Sequence, residues 1–596
     1  MPENVRLVIW DLDDTFWAGT LSEGGIERYL EENHRIVVAH AERGIVSSIC
    51  SKNDFATVRA ILKVKGIWDY FIFPSVDWSV KSPRLASIIE ATQLRPSTVL
   101  YIDDNPTNLA EARAAIPELQ VADPSITPTL LSDPRFQGKD DRELTRLKQY
   151  KVLERRQSEL KMFGADNADF LRRSNIRISI ATDIERHLDR AVELINRTNQ
   201  LNFTKVRLPD DIGEARAALL ERLNRFDHQA GLVRVIDDYG DYGYCGFYVA
   251  SGSTLEDYCF SCRILGLGVE TWLYRRLGKP NIVIRGEVVA NLNDDREIDW
   301  ITYIDRLGDE AKTARLRFGE VRCRGGCELE NIGHYMRLHA AYVIQETNRQ
   351  RGPFFIHYDS TYLALQAGGI ASRSSDLLDM GFADEDLKTA FFKPAEPGTI
   401  LIYSGWGDLT CEHYHDKATG SITLVHLIGI LDDVFNASRK DIDAAVALSG
   451  YGFEERKKVV RAHSVLRARH ETPTGLTPRE IEVAMRLMID HVPANALLFV
   501  LLPATRYRDE QGTTFRRKET AVYNALLRKL AARRDNVALI PLDSAISSDG
   551  EIIGMDHFNR IVYFRVFEMI LSELVRRQNE HSLQSSGCSA PGVVSP

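Results

Sequence analysis

The chain alternates short apolar runs with amphipathic stretches, and the alternation changes character along its length. Positions 7–10 (Leu-Val-Ile-Trp), 45–50 and 99–102 (Val-Leu-Tyr-Ile) are brief, apolar and bounded by turn-type residues, the pattern of strands buried on both faces. Between them, 55–63 and 83–92 place apolar residues at helical spacing. Strands alternating with helices predict a parallel sheet with crossover helices over 1–132. Positions 133–159 are charge-rich and helical in composition, and a helical connector is expected over 133–175. A second unit begins near Ile176 and is expected to reach 312. A third α/β unit, 313–580, shows strand-like runs at 314–323, 399–403, 497–502 and 537–541, with helical stretches at 479–491 and 516–533. A closing helix at 559–577 leads into a tail, 581–596, rich in Ser, Gly and Pro and expected to be disordered. The fold class is therefore α/β and multidomain; 596 residues are too many for one core.

Composition narrows the function classes. Hydrophobic residues make up 44% and charged residues 27%, as in ordinary globular chains. The net charge of −9 is spread without long blocks, so no electrostatic footprint for nucleic acid is expected. No apolar run reaches the length of a membrane span, and the N-terminus passes straight into the first strand without a signal peptide. A cytoplasmic location is expected. Of the eight cysteines, Cys259 and Cys262 form a C-x-x-C pair and Cys323 and Cys327 a looser one. The two pairs are far apart, so core cysteines with one nucleophile are expected ahead of a shared zinc site or disulfides.

The first strand delivers Asp11 and Asp13 at its end, where open α/β sheets hold their ligands. One carboxylate can attack phosphorus while the second, turned back by the bend, protonates the leaving oxygen. A divalent cation would hold phosphate and nucleophile together despite their like charges. The Asp-x-Asp-x-Thr pattern of 11–15 resembles the first motif of the haloacid dehalogenase (HAD) superfamily, and later motifs follow in order. The second run ends at Ser51, which can hydrogen-bond a phosphoryl oxygen. Lys81 stands where a phosphate-balancing lysine is expected, and the third run ends in Asp103-Asp104. The resemblance implies a HAD Rossmann-like sheet, catalysis by Asp11, Asp13, Ser51 and Lys81, and Mg²⁺ held by Asp11, Asp13, Asp103 and Asp104. The short distance between Asp13 and Ser51 leaves no room for a large lid domain, so a neighbouring domain or partner is expected to cover the site.

In the second unit, Arg263-x-x-Gly266-x-Gly268 precedes a helical run at 269–277, so its backbone N–H groups could cradle a pyrophosphate. This resembles the acyl-CoA loop of GNAT acyltransferases, and it would equally receive the phosphopantetheine arm of a carrier protein. The adjacent Cys262, near a helix N-terminus and beside Arg263, sits in a setting that lowers a thiol pKa; the bland alternative is a small buried hydrophobe. Asp11-Leu12-Asp13-Asp14-Thr15-Phe16-Trp17, Cys50-Ser51-Lys52-Asn53, Ile102-Asp103-Asp104-Asn105-Pro106, Arg197-Thr198-Asn199-Gln200-Leu201-Asn202, Gly240-Asp241-Tyr242-Gly243 and Ser261-Cys262-Arg263-Ile264-Leu265-Gly266 together resemble the FkbH-like family, in its order, over about 5–310. The resemblance implies a HAD phosphatase fused to a GNAT-like α+β acyltransferase. Such a protein takes a glyceryl unit from 1,3-bisphosphoglycerate, removes phosphate, holds the acyl group as a thioester on Cys262 and passes it to an acyl carrier protein. Leu267 stands where a basic residue is usual, and Asp14 where Asn is common.

The third unit resembles SGNH hydrolases faintly. Gly325-Gly326-Cys327-Glu328 follows a strand where that family has Gly-Asp-Ser, Gly405-Trp406-Gly407-Asp408 stands for Gly-x-Asn-Asp, and His557 lies late, as the base should. Gly554 replaces the usual acid, with Asp556 or Asp549 as substitutes. Two readings stand side by side: a binding domain, towards which the eroded motifs lean, or an acyltransferase or esterase using Cys327 and His557. Cys411, His413 and His415 alternate and could share one strand face as zinc ligands, but a polar surface strand is expected instead. The expected function is transfer of a glyceryl or similar hydroxyacyl group from a small phosphorylated acyl substrate to a carrier protein, in polyketide or related secondary-metabolite assembly. The rivals are acyl transfer to a glycan or metabolite by the third unit, and a non-catalytic carrier-docking scaffold.

Overall fold

The computed structural model describes residues 3–163, 167–304, 318–371, 375–509, 511–554 and 557–586. In the first unit, β1 (Leu7–Trp10), β2 (Val46–Ser51), β3 (Ser75–Val76), β4 (Val99–Ile102) and β5 (Gln120–Ala122) form one sheet in the order β3-β2-β1-β4-β5. Every pairing is parallel. All residues of β1, β2 and β4 are buried, which is why the sequence shows continuous apolar runs in place of alternation. Trp10 lies level with Ile49 and Ile102, so the chain leaves these three strands at one edge, at the point where strand order reverses.

The second unit is a seven-stranded mixed sheet. Its strands are β6 (Ile176–Ala181), β7 (Leu201–Asn202), β8 (His228–Asp237), β9 (Gly240–Ser251), β10 (Thr254–Phe260), β11 (Asn281–Ile282) and β12 (Ile301–Tyr303). The order is β11-β10-β9-β8-β6-β12, with β7 paired to β10. Before it, helix α1 (Thr145–Phe163) does more than connect. Its Leu147, Tyr150 and Leu153 join Leu7 and Ile9 of β1 to Ile176, Ile178 and Tyr248 in one hydrophobic cluster, so the first two units share a core.

The third unit is again wholly parallel: β13 (Phe318–Gly325), β14 (Ala340–Thr347), β15 (Thr399–Ser404), β16 (Ala496–Leu502) and β17 (Val537–Pro541), in the order β14-β13-β15-β16-β17. The strand expected at 314–323 is observed from Phe318; residues 314–317 and the expected boundary near 313 lie outside the described residues. Two features were not foreseen. Strand β14 is one, because only its first residue is fully buried and no apolar run marks it. The other is a separate hydrophobic cluster in which Phe354, Ile356 and Tyr358 meet Leu427, Phe435, Ile442 and Val459 from the long segment between β15 and β16. The closing helix, Arg560–Ser586, runs further than expected, so 581–586 is helix in place of a disordered tail; 587–596 lies outside the described residues.

Candidate active site

Asp11 follows β1 directly, and its backbone N–H donates to Ile102 O at 2.9 Å, which ties the strand end to β4. Asp14, one step after Asp13, adopts a left-handed conformation (φ 48°) and accepts from Gly19 N at 2.8 Å. Asp and Asn tolerate that region, so the departure from Asn costs little. The bend turns Asp13 back: Oδ1 accepts from Trp17 Nε1 (2.9 Å) and Leu21 N (3.1 Å), and Oδ2 from Asn53 Nδ2 (3.0 Å). Thr15 Oγ1 accepts from Asp104 N at 3.0 Å, clamping the loop after β1 to the loop after β4.

Lys81 opens the helix Lys81–Thr92 and aims its ammonium at the same edge, 2.8 Å from Asp11 Oδ2 and 2.7 Å from Asp103 Oδ2. Asp103 is fully buried and also accepts from Tyr101 OH, Asn105 N (2.8 Å) and Asn108 Nδ2 (3.1 Å). Ser51 is buried beside Asp11; its Oγ accepts from Asn53 Nδ2 at 3.2 Å, and its backbone O accepts from Arg84 Nη2 at 2.9 Å. Burial, and then the neighbouring Asp103, raises the Asp11 carboxyl to about 6, against the pull of Lys81. Burial works against the Lys81 charge too, but the two carboxylates outweigh it and its pKa rises.

Asp11, Asp103 and Asp104 each bring a carboxylate oxygen within 4.8 Å of the others, and Asp11 Oδ1 is buried with no partner. An all-oxygen set with an orphaned acceptor fits a hard divalent cation. Asp13, expected as a fourth ligand, has both oxygens held by Trp17, Leu21 and Asn53, and its side chain stands outside the cluster. Asn53, Tyr101, Asn108 and Arg84 were not singled out from sequence; the polar residues at 53 and 108, within five residues of the motif aspartates and serine, were the available signal.

Cys262 opens a single turn, Cys262–Ile264, directly after β10. It is half-buried, and burial pushes its thiol up, with Arg263 and Lys205 pulling the other way. The expected lowering is therefore not what the site provides: the cysteine belongs to this short turn and not to the N-terminus of helix α2 (Val269–Arg276). Gly266 and Gly268 both take left-handed backbone (φ 76°); Gly266 is exposed with open space beside it, whereas Gly268 is buried. Trp300 Nε1 donates to Leu267 O at 2.9 Å, Leu267 is fully buried, and a Cβ at Gly268 would lie 3.4 Å from Ile298 and 3.5 Å from Trp300. The first turn of α2 carries its own buried carboxylate, Glu270, raised to about 7 by burial and with Oε2 unpartnered. Neither glycine lines the cleft that holds Cys262 and Arg263.

That cleft, of about 680 Å³, lies at the opposite edge of the first sheet from Asp11, against Asn4, Val5 and Arg6. Five residue-to-residue steps separate Arg6 from Asp11, about 16 Å at 3.3 Å per step. The carboxylate of Asp11 and the thiol of Cys262 therefore lie towards opposite ends of β1.

In the third unit, Gly325 sits where a Cβ would meet Ser404 O at 2.6 Å, so only glycine lets β13 and β15 end this close together. Cys327 then begins the helix α3 (Glu328–Arg337), and its Sγ lies 3.0 Å from His557 Nε2. The sequence leaned towards a separation too great for chemistry; the structure brings the two into hydrogen-bond contact. Phe226, from the second unit, lies against the His557 ring with centroids 4.1 Å apart. Asp549 is engaged by Arg506 at 3.0 Å, and Asp556 lies outside the described residues. Asp408 is buried, accepts from Thr361 N at 2.9 Å and is raised to about 7 by burial. At Gly407 a Cβ would lie 2.5 Å from Asp359 Oδ1, so a carboxylate fills the space an Asn side chain would need.

The other candidate clusters disperse. His413 Nδ1 lies 3.1 Å from Cys411 O and His415 Nε2 3.1 Å from Glu480 Oε1, so the Cys411, His413 and His415 side chains do not converge. Cys259 and Cys323 are core residues, and the seven cysteines of the described residues are free. Among the described residues no helix is long and apolar enough to cross a membrane.

No protein-family model matches this chain, and no curated protein does. Among solved structures, the N-terminal part of a Bacteroides fragilis protein, containing a phosphatase domain complexed with Mg, aligns at 20% identity with a TM-score of 0.19. The alignment covers 24% of this chain and 40% of that one. A cobalt-bound deoxy-D-mannose-octulosonate 8-phosphate phosphatase from Haemophilus influenzae aligns at 20% identity over 19% of this chain and 66% of its own, TM-score 0.17. A Moraxella catarrhalis 3-deoxy-D-manno-octulosonate 8-phosphate phosphatase, in complex with magnesium, phosphate and KDO, aligns at 15% identity over 27% and 95%, TM-score 0.17. At such small overlaps the chemistry of the first unit is read from its own side chains. The chain as a whole is a multidomain α/β protein.

Proposed function

We propose that this protein is a cation-dependent phosphatase of the HAD type joined to an acyltransferase, which captures a glyceryl or similar hydroxyacyl group on Cys262 for delivery to an acyl carrier protein. The observation that carries the phosphatase reading is the buried Lys81 bridging Asp11 and Asp103 while Asp11 Oδ1 is left without a partner. Asp11 is the nucleophile towards phosphorus. Asp13, steered by Trp17 and Asn53, is the acid that protonates the departing alkoxide and then takes the proton from water. Lys81 and Ser51 neutralise and orient the phosphoryl oxygens. A divalent cation held by Asp11, Asp103 and Asp104 would screen the like charges of nucleophile and phosphate.

The separation along β1 divides the labour. A substrate with both an acyl phosphate and a phosphate ester, such as 1,3-bisphosphoglycerate, loses the two groups at different ends of the sheet. At Cys262 the sulfur attacks the acyl carbon; an S–C bond forms, the C–O bond to phosphate breaks, and the thiol proton leaves with inorganic phosphate. At Asp11 the ester phosphate is removed. Intact-mass measurement after incubation with the acyl phosphate tests both. Wild type gains a hydroxylamine-sensitive adduct, Cys262→Ala gains none, and Asp11→Asn keeps the adduct but releases no ester phosphate. Unchanged ester hydrolysis by Asp11→Asn would remove the phosphatase reading.

A second reading is favoured by the Cys327–His557 contact of 3.0 Å: a separate acyl transfer by the third unit. Both side chains are half-buried and reachable, and a thiol beside imidazole at a helix start is an activated nucleophile. The carboxylate of Asp359 in the space beside Gly407 is unsuited to stabilising an oxyanion there, which favours a thiol that accepts acyl groups over an efficient esterase. With p-nitrophenyl acetate, Cys327→Ala and His557→Ala each lower acylation about 100-fold or more if this holds; equal rates in all three proteins leave a binding domain.

A further inference from the structure

The cleft beside Cys262 is built by three parts of the chain at once. Arg6 comes from the entry to β1, Arg146 from helix α1, and Arg197 and Arg263 from the second unit. Its cationic side chains outnumber its acidic ones seven to three. The acidic groups are largely spoken for: Glu193 is held by Arg190 (2.7 Å) and Arg197 (2.8 Å), and Asp141 accepts from the N–H groups of Thr145 and Arg146, both at 2.9 Å. Among the described residues no ion pair engages Arg6 or Arg146. Arg263 donates through Nε to Ser261 Oγ at 3.1 Å, while its Nη1 is buried without a partner. Burial first, and then the charges of Arg146 and Arg197, pushes Arg6 down to about 10; burial also lowers Arg263. Like charges gathered in a partly buried cleft repel one another unless an anion sits among them.

We propose that this cleft binds the phosphate group of the molecule that exchanges its acyl group with Cys262, with Arg6, Arg146 and Arg263 as ligands. The proposal rests on Cys262 being the acyl-carrying thiol. It places phosphate recognition at an interdomain arginine site, apart from the glycine loop, whose glycines do not line the cleft. Guanidinium groups present paired donors that match phosphate oxygens, and they would stabilise charge on a departing phosphate as the thioester forms. Because Arg6 belongs to the first unit, the acyltransferase site is incomplete without the phosphatase sheet. A second cleft, of about 1140 Å³, shares Arg263 and Gln93 with the first and follows the helix Lys81–Thr92 to Ser75 and Arg84, the arginine bonded to Ser51 O.

Two phosphate sources share this chemistry, the acyl phosphate donor and the phosphopantetheine arm of a carrier. Acetyl phosphate and 4′-phosphopantetheine are the probes, applied to the full chain. Binding is read by calorimetry, and protection of Cys262 from iodoacetamide is read by intact mass. Wild type is expected to bind at least one probe and to be protected by it; protection by acetyl phosphate alone assigns the donor, by phosphopantetheine alone the acceptor arm. Arg6→Gln and Arg146→Gln each weaken binding about tenfold or more, while hydrolysis of p-nitrophenyl phosphate at the Asp11 site stays at the wild-type rate and reports that the first unit is folded. Wild-type affinity in both variants, or no binding of either probe by wild type, overturns the proposal. If the probes bind and the arginine variants weaken them but Cys262 forms no thioester, the acyl-capture reading fails and the anion site stands.

Discussion

At the scale of single residues, the site around Asp11 is a balance of buried charges. Lys81 is 5% exposed and holds two carboxylates that would otherwise repel each other across a dry pocket. Removing one partner of a buried pair is costly, about 3–5 kcal/mol where nothing replaces it. Here a divalent cation can replace it. Lys81→Met is therefore expected to melt well below wild type in chelator and to recover most of the difference in millimolar Mg²⁺, while turnover stays down about 100-fold because the phosphoryl oxygens have lost their lysine. Thermal melts with and without Mg²⁺ check this; an equal Mg²⁺ response in both proteins would show that the cation does not bind among Asp11, Asp103 and Asp104.

At the scale of elements, the loop before helix α2 shows how one motif can carry two meanings. Gly266 and Gly268 do what such glycines do, turning the chain through left-handed backbone. Between and after them the chain packs inward, with Leu267 in the core and Glu270 buried in the first turn of the helix, while Gly266 stays exposed. Glu270 gives this element a pH dependence. Its folded-state pKa of about 7 lies above the usual 4.5, so the folded protein holds a proton that the unfolded chain releases between these values. The stabilisation is complete below about 4.5 and is lost as pH rises through 7. Glu270→Gln should match wild type near pH 5 and be more stable at pH 8, by an amount on the order of 1–3 kcal/mol. Hydrogen exchange of the 269–277 amides at the two pH values measures it; a variant no better protected at pH 8 would show that the carboxylate finds a partner.

At the scale of the whole molecule, three units meet in ways that give each a share in another's site. Leu7 and Ile9 of β1 and Ile176 and Ile178 of β6 belong to one hydrophobic cluster, and Arg6 of the first unit lines the cleft of Cys262. The second and third units are locked by Arg560, fully buried, whose Nη2 lies 2.6 Å from Glu185 Oε1, and by Tyr248 OH at 3.0 Å from His334 Nε2. Phe226 against His557 places a second-unit ring over a third-unit imidazole. The thiol of Cys262 and the carboxylate of Asp11 stand at opposite edges of one sheet; two clefts that share Gln93 and Arg263 lie along it, and Asp11 lines neither.

Much of this was legible in the chain itself. Four consecutive apolar residues at Leu7–Trp10 and again at Val99–Ile102 can only be satisfied by a strand covered on both faces, so the parallel sheet and the convergence of Asp11, Ser51 and Asp103 at its edge followed from local pattern. Parts of the third unit were legible for the same reason, since Thr399–Ser404 and Ala496–Leu502 are equally continuous. Strand β14 was not, because its side chains are only partly buried and leave no periodic signal. Tertiary structure alone decided the rest, through contacts between residues far apart in sequence. Burial outweighs the local charge of Arg263 and raises the Cys262 thiol. Trp300 anchors the glycine loop at Leu267 O from 33 residues away. Cys327 and His557, 230 residues apart, come within 3.0 Å because the ends of a parallel sheet collect what the sequence scatters. Local pattern fixes which elements form; desolvation and long-range contact fix which of their side chains can react.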